Sequence, residues 1–175
     1  DNNIIDKLLG KLKDNNYTIN QAMVQTINAI MLHKSNADIA DKIKEIILND
    51  KTLCVGQLIT KYFDLNEFDK VIINRIAQSL SLTQDQDRHG NVRRGAASAL
   101  AEISKVRPDL ITETIVNKLA VNLSLTKDQD EYGFAKGGAA SALAEISKVR
   151  PGLITETIVN KLAVNLSLTK DQDEY

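Results

Sequence analysis

Apolar residues recur at helical steps through Ala96, Ala99, Leu100, Ile103 and Val106, and the apolar arc they belong to covers more than half of the wheel. A helix of that kind must be covered on several sides. Ala96, Ala97, Ala99 and Ala101 favour helix and carry little bulk, so neighbouring helices are expected to approach closely. Arg107 and Pro108 end the helix, because proline disfavours helix in the residue before it and suits the first turn of the next one. A second helix is predicted from there. Counted from Leu110, it buries Ile111, Ile115, Val116, Leu119 and Leu123 and leaves Glu113, Asn117 and Ser124 in water. The polar stretch SLTKDQDEYG follows, rich in Asp and closed by Gly133, and predicts a turn.

The part of the chain before residue 80 keeps the same rhythm less regularly. Ile4, Ile5, Leu8, Leu9 and Leu12 mark a short first helix, and Thr18 with Gln21 forms a capping box that opens a second, running to about His33. Asn36 and Asp38 open a third through Ile39, Ile43, Ile46 and Ile47, and Thr52 opens a fourth that ends near Phe63. Asn66 opens a fifth, carrying Phe68, Val71, Ile72, Ile76 and Leu80. No strand-like alternation occurs. The pattern predicts an all-α chain of nine helices, with divergent helical repeats over 1–65 and regular ones over 66–175 in one continuous array.

Internal repetition carries the argument further. Residues 96–132 recur at 139–175 with a single change, Asp109 against Gly152, and residues 74–97 align without gaps on 117–140. The period is 43 residues, within the range of two-helix HEAT and armadillo units and too long for tetratricopeptide or ankyrin units. Asp near the start of the second helix favours its N-terminal dipole and bonds a free amide, whereas Gly adds chain entropy, so the last repeat is expected to fray first. The chain stops where a further unit would begin, and it is expected to be a piece of a longer protein whose open C-terminal edge offers a route to self-association.

The run Asp85, Asp87, Val92, Arg93, Ala96, Ala97, Ala99, Leu100 and Ile103 resembles the HEAT-repeat pattern, in which an Asp in the turn precedes a Val-Arg pair and an Ala-rich helix start. The next unit keeps Asp128, Asp130, Ala139, Ala140, Ala142, Leu143 and Ile146, with Ala135 and Lys136 in place of Val-Arg. The resemblance implies a right-handed α-solenoid of antiparallel helix pairs that serves as a protein-binding scaffold, and it implies no single ligand.

Composition narrows the chemistry. Twenty-two Lys and Arg against 23 Asp and Glu give a net charge of −1, no general field for nucleic acid or an anionic membrane. A single cysteine, Cys54, makes no internal disulfide, and with two distant histidines it makes no Cys/His zinc site. With no apolar run long enough to span a bilayer and no leader pattern, a cytoplasmic protein without cofactor or metal is expected. Asp85-x-Asp87-x-x-Gly90 and Asp128-x-Asp130-x-x-Gly133 imitate the start of an EF-hand loop, but Ala96 and Ala139 stand where the bidentate acid is needed. These acids are expected to cap the following helix instead, with Asp87 reaching Arg93 or a neighbouring turn. Arg88, His89, Arg93 and Arg94 form one cationic cluster, replaced a unit later by Glu131, Tyr132, Lys136 and Gly137, so it does not track a nucleic-acid backbone. His33, His89 and Cys54 lack any activating motif, and the Asn-x-Ser/Thr sequons at Asn16, Asn122 and Asn165 read as chance. No catalytic residue is expected.

One stripe remains. Glu113, Asn117 and Ser124 lie within about 40° of one another on the wheel, opposite the buried group. The period generates a row of Asn74, Asn117 and Asn160, a row of Ser81, Ser124 and Ser167, a flank of Arg75, Lys118 and Lys161, and Glu156 as the partner of Glu113. On stacked second helices these become ladders along a concave face, where asparagine amides suit the backbone of an extended peptide. Duplication alone also generates such rows. The expected function is a non-catalytic scaffold that binds a protein or peptide on that face. The alternative is an enzyme-associated HEAT domain, glycosylase-like or of the bilin-lyase accessory kind, which would need an aromatic-lined groove in one repeat only.

Overall fold

The computed structural model describes residues 70–83 and 90–170, the stretch 166–170 by its backbone alone, together with Lys7, Thr26 and Glu45 as single helical residues. Residues 70–83 and 90–170 form five α-helices, α1 Lys70–Ser79, α2 Asn91–Val106, α3 Glu113–Asn122, α4 Phe134–Val149 and α5 Glu156–Lys170, with 3-10 turns at Pro108–Leu110 and Pro151–Leu153. Among the described residues there is no strand. The first four of the nine expected helices fall outside the described residues, although Lys7, Thr26 and Glu45 each lie inside one of the first three and are helical.

Glycine sets the entry into α2 and α4. Gly90 and Gly133 precede them with φ of 70° and 68°, a left-handed backbone that other residues adopt only under strain. Two units meet at Gly90, since a Cβ there would fall 2.5 Å from Asp130 Oδ1 and 2.9 Å from the Ala135 nitrogen. Asp130, buried in the turn, accepts from the Ala135 and Lys136 amides at 3.2 and 2.9 Å. It thus satisfies two of the free N–H groups at the start of α4, as the sequence led one to expect. Asp85 and Asp87 lie outside the described residues.

Among the described residues, the Ala-rich faces of α2 and α4 form the most extensive pairing of elements. Ala97, Ala99, Leu100 and Ile103 of α2 and Ala139, Leu143 and Ile146 of α4 are fully buried there, each large side chain contributing about 1.5–3 kcal/mol. Gly138 allows this approach, because a Cβ on it would meet Arg94 Cα at 2.9 Å.

Each first helix ends as expected, at Val106 and Val149 before Arg-Pro. The second helix differs from expectation at both ends. A 3-10 turn occupies Pro108–Leu110, Ile111 is extended, and Thr112 caps α3 with its hydroxyl 3.4 Å from the Ile115 amide, so α3 opens only at Glu113. The expected apolar group Ile111, Ile115, Val116, Leu119 and Leu123 is buried throughout. Asp109 does not serve α3 either. It sits in the 3-10 turn and takes a two-point contact from Arg107, at 3.0 Å from Nε and 2.8 Å from Nη2.

Spacing is uneven across the layers. α1 packs on α2 and α3 on α4, whereas α3 and α5 make few close approaches. Bulky Ile, Val, Leu and Asn side chains hold the second helices apart while Ala and Gly let the first helices close up. The tighter spacing is therefore on the first-helix side. A groove opens beside α5, between it and the turn that follows α3.

Candidate binding groove

The groove between the turn that follows α3, the start of α4 and α5 encloses about 500 Å³ and is lined by Ser124, Lys136, Asn160, Lys161, Val164 and Asn165 among others. Three of these, Ser124, Asn160 and Lys161, come from the rows anticipated in the sequence. Asn74, Asn117 and Asn160 are all exposed, as are Glu113, Glu156, Ser81 and Ser124. Ser81 and Ser124 follow the ends of α1 and α3, so the serine row runs through turns and not along helices. Ser167 belongs to α5 by its backbone, and its side chain lies outside the described residues. Arg75, half-buried, donates to Gln78 Oε1 at 3.0 Å. Lys118 bridges units by donating to Ser81 Oγ at 2.8 Å, while its counterpart Lys161 reaches the Ala120 carbonyl at 3.4 Å. Glu113 and Glu156 stand at the N-terminal ends of their helices and do not line the groove.

A second asparagine row was not anticipated. Asn122 is buried and its Nδ2 donates to the Leu80 and Lys118 carbonyls, both at 3.0 Å; Asn165 Nδ2 donates to Leu123 and Lys161 at 2.9 and 2.8 Å. Each amide ties its own helix to the end of the second helix one unit earlier. Exposure separates the two rows: Asn74, Asn117 and Asn160 face water, while Asn122 is buried and Asn165 half-buried with their amides committed to carbonyls. The signal existed in the sequence, because Asn122 and Asn165 repeat a polar group beside Leu119 and Leu123 on the apolar arc, and a buried polar group must find partners.

The cationic cluster is dispersed. Arg93 is buried and donates to the Gln129 carbonyl at 2.7 Å, which explains its place in the core. Arg94 lies over the Phe134 ring at 5.4 Å, and Phe134 stacks on the exposed Tyr132 at 5.7 Å. Arg88, His89, His33, Cys54 and Asn16 lie outside the described residues. Among the described residues no group of His, Cys, Asp and Glu is arranged to hold a metal ion, and no helix is long and apolar enough to cross a membrane.

Comparison with protein-family models, with curated proteins and with solved structures finds no match. What the site does therefore has to be argued from its own chemistry.

Proposed function

We propose that the chain is a HEAT-like α-solenoid, right-handed and built of antiparallel helix pairs, and that it acts as a non-catalytic interaction scaffold in the cytoplasm. Its binding surface is the face carried by the second helices. The observation that supports this most directly is the exposed asparagine row: Asn74, Asn117 and Asn160 face water at the same place in three successive units, while the other row, Asn122 and Asn165, is consumed by interhelical hydrogen bonds. Asparagine presents both donors and acceptors, so such a row matches the main-chain groups of an extended segment. Among the described residues no aromatic side chain lines the groove, which fits a peptide better than an exposed nucleobase.

The test is selection of random peptides displayed against the immobilised protein. Peptides should be enriched, and changing Asn74, Asn117 and Asn160 together to Ala should weaken them by about tenfold or more, about 1.4 kcal/mol, with circular dichroism unchanged. Failure to enrich any peptide, or binding indifferent to the triple change, would overturn the reading.

A further inference from the structure

The groove has a charge of its own that the whole chain lacks. Lys136 from α4 and Lys161 from α5 both line it, and among the described residues no Asp or Glu does, although acids outnumber bases by one in the sequence. Among the described residues neither lysine, nor Lys118 one unit earlier, forms an ion pair with a carboxylate; the ion pairs present join Lys105, Arg107 and Lys148 to Glu102, Asp109 and Glu145 on other faces. Val164, 58% exposed, adds an apolar strip beside Lys161, and Val121, 61% exposed, repeats it beside Lys118. The counterpart of Lys136 in the earlier unit is Arg93, which is turned into the core. Positive charge is thus doubled at this groove and single at the unit before it.

Resting on the reading of this face as a peptide-binding surface, we propose that the groove and the adjoining face of α3 take an acidic, extended peptide segment whose carboxylates recur about every three residues, one meeting Lys136 and Lys161 in the groove and the next meeting Lys118 on α3. The spacing follows from the general separation of packed helices. The Asn165 amide ties α5 to the Leu123 carbonyl just beyond α3, and packed helices in general stand about 8–10 Å apart. A polyproline II chain advances about 9 Å in its three-residue turn and returns a side chain to the same face. Val121 and Val164 then meet the apolar rings or stems between the acids.

The test uses the full chain and fluorescently labelled peptides made of Asp-Pro-Pro triplets, compared by anisotropy with Asn-Pro-Pro triplets, with a peptide of equal composition whose acids are gathered at one end, and with oligothymidylate. The periodic acidic peptide should bind about tenfold or more tightly than each of the others, and weaken as salt is raised. Lys136→Gln with Lys161→Gln should remove most of that advantage, while Lys148→Gln, on another face, should leave it intact. Equal binding of the neutral peptide, of the clustered acids or of the oligonucleotide would overturn the proposal, as would indifference to the lysine changes. If displayed peptides depend on the asparagine row yet carry no periodic acids, the scaffold reading stands and the acidic specificity falls.

Discussion

Asn117 and Asn122 stand five positions apart on one helix and have opposite fates. Asn117 faces water, whereas Asn122 is 2% exposed with its amide committed to two carbonyls. Removing the first leaves nothing unsatisfied. Removing the second strands the Leu80 carbonyl, which is bonded across units, without its donor. Asn122→Ala is expected to cost about 1–3 kcal/mol, read from the urea midpoint, and Asn117→Ala less than about 0.5 kcal/mol. Equal costs would mean that the buried amide adds nothing beyond an exposed one.

At the scale of an element, α4 is held at its first turn from outside itself. Its N-cap, Gly133, has no side chain to offer, and the buried carboxylate of Asp130 takes over that task through the Ala135 and Lys136 amides. The same carboxylate packs against Gly90, so the start of α4 and the start of α2 are fixed to one another. Asp130→Ala is expected to lower stability by about 1–2 kcal/mol and to speed amide exchange chiefly in the first turn of α4. Exchange that stays unchanged there would show the cap to be dispensable.

Across the whole molecule the surface charges act between units as well as within them. Lys105 pairs with Glu102 at 2.6 Å and reaches Glu145 of the next unit at 3.9 Å. Glu145 has its carboxyl held below the usual range, first by the hydrogen bond from Lys148, against some desolvation, and then by the charges of Lys148 and Lys105. Asp109 is lowered likewise, first by the hydrogen bond from Arg107. A carboxyl whose folded value is depressed stabilises the fold above its unfolded value, about 4, and loses that contribution as pH falls through the folded value. Asp109→Asn and Glu145→Gln should therefore lower the urea midpoint at neutral pH, and the difference from the parent chain should shrink as pH drops below about 4. Because Asp109 is exposed and Glu145 only half-buried, added salt should also reduce it. A difference that grows in acid would contradict the assignment.

The 43-residue repeat, the helix faces, the Arg-Pro stop and the buried set from Ile111 to Leu123 were legible in the sequence, because periodicity and proline act locally and any fold must respect them. Capping by an acid of the turn was legible too. The sequence alone did not determine where the second helix starts and stops. The run ETIVNKLAVNLSLTK is helical over Glu113–Asn122 in one unit and over Glu156–Lys170 in the next. In the first, the turn beyond Asn122 is drawn aside to place Asp130 under α4, and Val116 is fully buried; in the second, Val159 is 51% exposed. Identical residues thus have different burial because α4 covers α3, and no helix pair among the described residues covers α5 in that way. Which asparagine row faces water, that Arg93 turns inward, and that two lysines share one groove were likewise decided by packing, because small residues draw the first helices together and larger ones keep the second helices apart.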